Sequence, residues 1–173
     1  MKSNQSKLKK IAFIGISASL ALLLSYVEFL LPPLYAAVPG IKLGLPNVVI
    51  MYLMYTMGLR YAAPVSFVRV FISALLFGNV TTLAYSLAGA VLSLLLMALL
   101  KRFDKLSSVG VSVAGGVAHN LGQTIVAMVL LDTPQIVYYM IVLALTGTVS
   151  GVFIGLCSAV LIKRLPAKKT FKL

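Results

Sequence analysis

The 173-residue chain is 61% hydrophobic and 10% charged, with a mean hydropathy of +1.06 and a formal net charge of +12. So few polar residues cannot cover the surface of a soluble domain of this size, and that class is excluded. The basic excess would suggest nucleic acid in a soluble protein, but here it collects beside apolar stretches, where an anionic leaflet attracts each cation by roughly 1 kcal/mol, so a nucleic-acid partner is set aside.

Six apolar stretches follow in chain order, at residues 11–31, 43–59, 62–77, 83–100, 109–131 and 136–162. Each is close to the ~20 residues that cross hydrocarbon as a helix, the third being short. The predicted fold class is an all-α integral membrane protein, a six-transmembrane-helix bundle. A basic tail at 1–10 and another at 163–173 flank one membrane domain at 11–162. The N-terminus imitates a signal peptide, with a Lys-rich start and Tyr35-Ala36-Ala37 after the apolar run. That run, however, is about 21 residues, longer than the 7–15 of a signal core, and is read as a retained span.

Charge sets the orientation. Lys2, Lys7, Lys9 and Lys10, then Arg60, then Lys101, Arg102 and Lys105, and finally Lys163, Arg164, Lys168, Lys169 and Lys172 fall in the tails and on alternate connections, whereas the other connections carry only Lys42. By the positive-inside rule both termini are cytoplasmic, and the protein is a multi-pass component of the cell membrane. The first connection, PPLYAAVPGIK, is then external, and its prolines and glycine rule out a continuous helix. It is either a stiff connector or a cover over a cavity.

Within the spans, packing signals are the most common. Gly147, Gly151, Gly155 and Ala159 recur every four residues in the sixth stretch and line a groove that another helix can approach closely. Ser17, Ala21, Ser25 and Glu28 form a small and polar stripe on the first, for a neighbouring helix of the same chain or for a separate membrane subunit. Cys157 stands alone and forms no internal disulfide.

Ionisable groups at membrane depth are costly unless they meet a partner, water or ligand, so they carry the functional argument. Arg69 lies roughly 13 Å along the helix from Arg60, near mid-membrane, with Ser66 and Ser73 on its face. His119, Asn120 and Gln123, in GGVAHNLGQ, occupy one side of the fifth helix at similar depth, and Glu28 sits near the external end of the first. Two readings stay open: an internal network in which Glu28 or a carbonyl neutralises Arg69, and an outward polar cavity whose ligand supplies phosphate or carboxylate. No Cys/His/Asp cluster indicates a metal. The three acids, Glu28, Asp104 and Asp132, are too far apart in sequence to form a paired-acid magnesium and diphosphate site, and no Walker lysine follows a glycine-rich loop. The chain reads as no enzyme, and ATP-driven transport would need partners. No cofactor can be named.

The segments IKLGLPNVV at 41–49, GNVTTLAYSLAGAVLSL at 78–94 and GGVAHNLGQ at 115–123, with six short helices and the small-residue stripe on the first, resemble the Gx transporter family. That family is also labelled heptaprenyl diphosphate synthase component I and is related to the S components of energy-coupling-factor transporters; the resemblance covers about residues 8 to 165. It implies an S-component-like subunit that captures a small, anionic or aromatic metabolite, related to flavins, quinones or isoprenoids, from outside. Arg69, His119, Asn120 and Gln123, which share a depth with too few acids to neutralise the basic groups, are the ligand-binding candidates together with Glu28, Lys42, Asn47 and Asn79, and the resemblance implies Ser17, Ala21 and Ser25 as the surface for a membrane coupling subunit with ATPases. Helix one carries Ser17-x-x-x-Ala21 where S components carry Ala-x-x-x-Ala. The resemblance implies a second reading too: a non-transporting membrane scaffold in menaquinone metabolism or flavin-linked extracellular electron transfer, with a redox or quinone-pathway membrane partner.

Overall fold

The computed structural model describes residues 2–31, 44–103, 105–132 and 134–165. All regular structure among them is helical: α1 (Lys2–Leu30), α2 (Asn47–Thr56), α3 (Leu59–Phe77), α4 (Val80–Arg102), α5 (Ser108–Leu130) and α6 (Met140–Arg164), the last entered through a 3-10 turn at Pro134–Tyr139. Five of the six are long and apolar enough to cross a membrane. Their outward faces carry Leu75 and Val80, 82% and 83% exposed, and long rows of other aliphatic side chains. A soluble monomer rarely leaves such a continuous apolar surface in water, whereas lipid tails cover it at no cost.

Two elements depart from the predicted spans. α1 begins inside the basic tail, because no Gly or Pro interrupts residues 2–14 and Lys7 and Lys9 stay at the surface. α2 is only ten residues long, about 15 Å of rise against the ~30 Å of a hydrocarbon core, so the stretch at 43–59 is not a full-length helix. Punctuation residues bracket it. Gly44 (φ +74°) and the N-cap Pro46 precede it, and Gly58 (φ +97°) ends it, with the Met57 and Gly58 amides both donating to the Leu53 carbonyl in a left-handed cap.

The short helix is the centre of the molecule. Ile50, Met51, Leu53 and Met54 are fully buried, in one cluster with Ala21 of α1, Ala62 and Val65 of α3, Leu94 and Met97 of α4 and Val111 of α5. Ser158 of α6 donates to the Val48 carbonyl (3.3 Å), and the Tyr52 hydroxyl donates to the carbonyl of Leu165 (2.8 Å), just past the end of α6. At the other end of the helix the Lys101 ammonium donates to the Met54 carbonyl and stands 4.8 Å from the Tyr55 ring centroid. A cation on the last carbonyls of a buried half-length helix complements its dipole.

α4, α5 and α6 pack through glycines. A Cβ at Gly151 would stand 2.5 Å from Val113 Cα, one at Gly147 3.0 Å from the Gly116 backbone, and one at Gly155 2.7 Å from Val109 Cα. The predicted glycine row is therefore the α5–α6 seam. On the other side of α5, Gly115 lies against Met97 and Gly122 against the Ala88 backbone.

Candidate functional site

The α2–α3 hairpin turns at Gly58, and Asn47 and Arg69 are equally far from that turn along its two arms. The pairing follows from that symmetry: the first residue of the short helix arrives level with the arginine, and Arg69 Nη2 donates to Asn47 Oδ1 at 3.3 Å. Beyond α2 the chain passes through Gly44, whose amide donates to a Glu28 carboxylate oxygen from the end of α1 and whose carbonyl accepts from Asn47 N (2.8 Å). Gly44 needs its glycine twice over. Its φ is left-handed, and a Cβ there would meet Asn47 Nδ2 at 3.0 Å and Ile154 Cδ1 at 3.2 Å. Glu28, Gly44, Asn47 and Arg69 thus form one connected polar group.

Arg69 is half-buried, and its Nε is enclosed with no acceptor among the described residues. A guanidinium offers five donors in a planar fork, of which Asn47 takes one. Glu28 is the acid that acts on it electrostatically. The N-terminal, positive end of the α2 dipole lies beside the same fork. Positive potential and an enclosed donor with no acceptor among the described residues converge there.

The sequence profile of the heptaprenyl diphosphate synthase component I family matches residues 17–161, most of the chain. The chain belongs to that family. No curated protein and no solved structure matches it. The match takes in Glu28, Asn47, Arg69 and the α5 polar residues alike, so family membership does not by itself choose among the candidates.

The fold of this family member separates the candidates. Arg69, Asn47 and Glu28 are brought together; Lys42 lies outside the described residues. Asn120 is buried between α5 and α6, where its Nδ2 donates to the Leu143 carbonyl (2.6 Å) and touches the space beside Gly147. His119, half-buried, lies against Gly89 of α4, where a Cβ would come within 2.9 Å of the ring. Gln123 is half-buried on α5. Asn79 caps α4, its Oδ1 accepting from Thr82 N (2.8 Å) and Thr82 Oγ1 (2.9 Å). His119 and Asn120 therefore sit at helix contacts and Asn79 at a helix end. On α1, Ser17, Ala21 and Ser25 are buried within the chain, with the two hydroxyls bonded to carbonyls of their own helix. A membrane partner reaching α1 would meet the opposite face, at Ile16, Leu20, Leu23 and Val27.

Sequence reasoning missed Gly44 and Lys101. The Gly-x-Pro-Asn pattern at 44–47 is the signal that marks Gly44 as a turn before a helix start. Lys101 has no such signal, because the carbonyl it caps is remote in sequence. No cluster of three His, Cys, Asp or Glu suited to a metal occurs among the described residues.

Proposed function

We propose that this chain is a membrane-embedded binding subunit, S-component-like, which takes up a small metabolite from outside through a carboxylate or phosphate held by Arg69 and Asn47 at the N-terminal end of α2. The observation that carries the reading is the half-buried guanidinium with an enclosed, unpaired Nε. An ionised group at membrane depth is retained where it meets an opposite charge, and a ligand anion supplies one beside Glu28. α2 acts as the floor of the site, a half-length helix presenting its positive end to the anion, and Glu28 sets the position of the turn through Gly44. In this reading both termini are cytoplasmic, the chain itself performs no chemistry, and transport requires a coupling partner.

The test is native mass spectrometry of the detergent-purified protein. A co-purified anionic small molecule, present in wild type and absent from a folded Arg69→Ala variant, is the expected outcome. A wild type that carries no small molecule and binds none from a pool of anionic flavin, quinone-precursor and isoprenoid metabolites would overturn it and leave the scaffold role. Orientation is checked separately: cysteines at Val38 and Thr133 should react with an impermeant thiol reagent in intact cells and one at Ser107 should not.

A further inference from the structure

Between α4 and α5 the outer surface is cut by an apolar groove of about 560 Å³, walled by Leu92, Leu95, Leu96 and Leu99 on one side and by Val117 and Leu121 on the other, with Ala114 and Ala118 as its floor. The two alanines are one helical turn apart, and their small side chains open the groove where leucines would close it. From Leu92 to Leu99 it runs roughly 10 Å along the helix, a large part of the ~15 Å depth of one leaflet's hydrocarbon.

One end of the groove is charged. Leu92, Leu95, Leu99 and Arg102 fall at offsets of three, four and three, so Arg102 continues the leucine row on the same face of α4. It is exposed in the last turn, and Lys105 is exposed in the turn that joins the two walls; neither has a hydrogen-bond or ion-pair partner among the described residues. The neighbouring Lys101 is directed inward to the Met54 carbonyl instead. A hydrocarbon slot that ends in two uncommitted cations at the membrane edge matches an amphiphile with an anionic head. We infer that this groove is a binding site for an anionic phospholipid of the leaflet on the side of the α4–α5 turn, with one acyl chain between the helices and the phosphate on Arg102 and Lys105. The site is separate from the Arg69 cluster. By the distribution of positive charge in the sequence, that leaflet is the cytoplasmic one.

The experiment is native mass spectrometry of the purified protein with added phosphatidylglycerol or phosphatidylcholine of identical acyl chains. Phosphatidylglycerol should be retained one to one with roughly thirtyfold preference, the ratio that two basic side chains at a charged surface provide. The double variant Arg102→Gln/Lys105→Gln, altered only at exposed positions, should bring the two lipids to near parity. Ala114→Phe should fill the groove and reduce retention of both. Equal retention by the wild type, undiminished preference in the double variant, or a protein dimer that Ala114→Phe dissociates while lipid retention is unchanged would each overturn the assignment.

Discussion

The α5–α6 seam and the α2–α3 hairpin both place polar groups at membrane depth, and they treat them in opposite ways. At the seam, glycines bring backbones into contact and Asn120 finds its acceptor in the Leu143 carbonyl, so the polar group is used in holding two helices together. In the hairpin, Arg69 meets Asn47 through one donor and keeps its enclosed Nε without an acceptor among the described residues. An amide that is fully employed is a fastener, whereas a guanidinium with spare capacity beside a helix N-terminus has room for a ligand. The contrast teaches that depth and polarity alone do not mark a site; the unfilled hydrogen-bonding capacity does.

The largest effect is expected at the seam. In Gly151→Leu the new Cβ would overlap Val113 Cα and the Ser112 carbonyl, backbone atoms that cannot swing aside, so the cost reaches or exceeds the ~1–3 kcal/mol typical of overpacking. Fluorescence-detected size exclusion should show loss of the monodisperse species. Gly15→Leu on α1 is the control, since a Cβ there meets nothing within 4 Å, and it should remain folded. A Gly151→Leu protein that folds normally and loses only binding would turn the seam into a functional surface and erase the comparison.

Arg69→Ala comes next and should act in the opposite sense, leaving the fold intact and abolishing anion binding. Arg69→Lys should restore binding only in part, because an ammonium cannot reproduce the planar fork. The decisive variant pairs Glu28→Gln with Arg69→Met. A structural ion pair replaced at both ends is often neutral or stabilising, so a double variant that is stable and still binds ligand would assign Arg69 to internal pairing. Binding that stays lost whatever stands at position 28 keeps it as the ligand's partner.

Much of this was readable in the sequence, and what was not has physical causes. The five long helices follow from apolar run length, and the glycine row from its spacing of four, because both are local periodicities. Glu28, Asn47 and Arg69 were each marked as candidates within the apolar stretches, but their meeting depends on how far α2 reaches. Its ten-residue length was recoverable from Gly44, Pro46 and Gly58, yet the apolar run from 43 to 59 masked it by matching a span. Asn120 was grouped with Arg69 by depth alone, which cannot tell that it faces α6. The α1 stripe was ambiguous for a related reason: small residues at a spacing of four describe any close helix contact, inside the chain or outside it.

A smaller effect tests the fastener role directly. Asn120→Leu removes the bond to the Leu143 carbonyl, which also accepts from Thr146 Oγ1 (3.0 Å) and so is not left orphaned. The loss should be about 1 kcal/mol, in the range measured for interhelical bonds in membranes, and appear as a modest fall in melting temperature with ligand binding retained. Binding lost at unchanged stability would move Asn120 from the seam to the site.

The smallest change should come from Lys101→Met, which keeps the aliphatic stem and removes the cation from the Met54 carbonyl and the Tyr55 ring. Charge at a helix C-terminus contributes ~0.3–1 kcal/mol at exposed positions and up to ~2 when partly buried, as Lys101 is, so the melting temperature should fall by a few degrees. Because α2 runs from this clamp to Asn47, the variant also asks whether the hairpin is held at one end or two. If the Tyr52 bond to Leu165 and the buried apolar faces suffice to hold the helix, anion affinity at Arg69 should be unchanged while stability drops. A weaker affinity in step with the lost stability would show that the Lys101 clamp sets the position of the α2 N-terminus. The site would then extend through the whole length of the short helix.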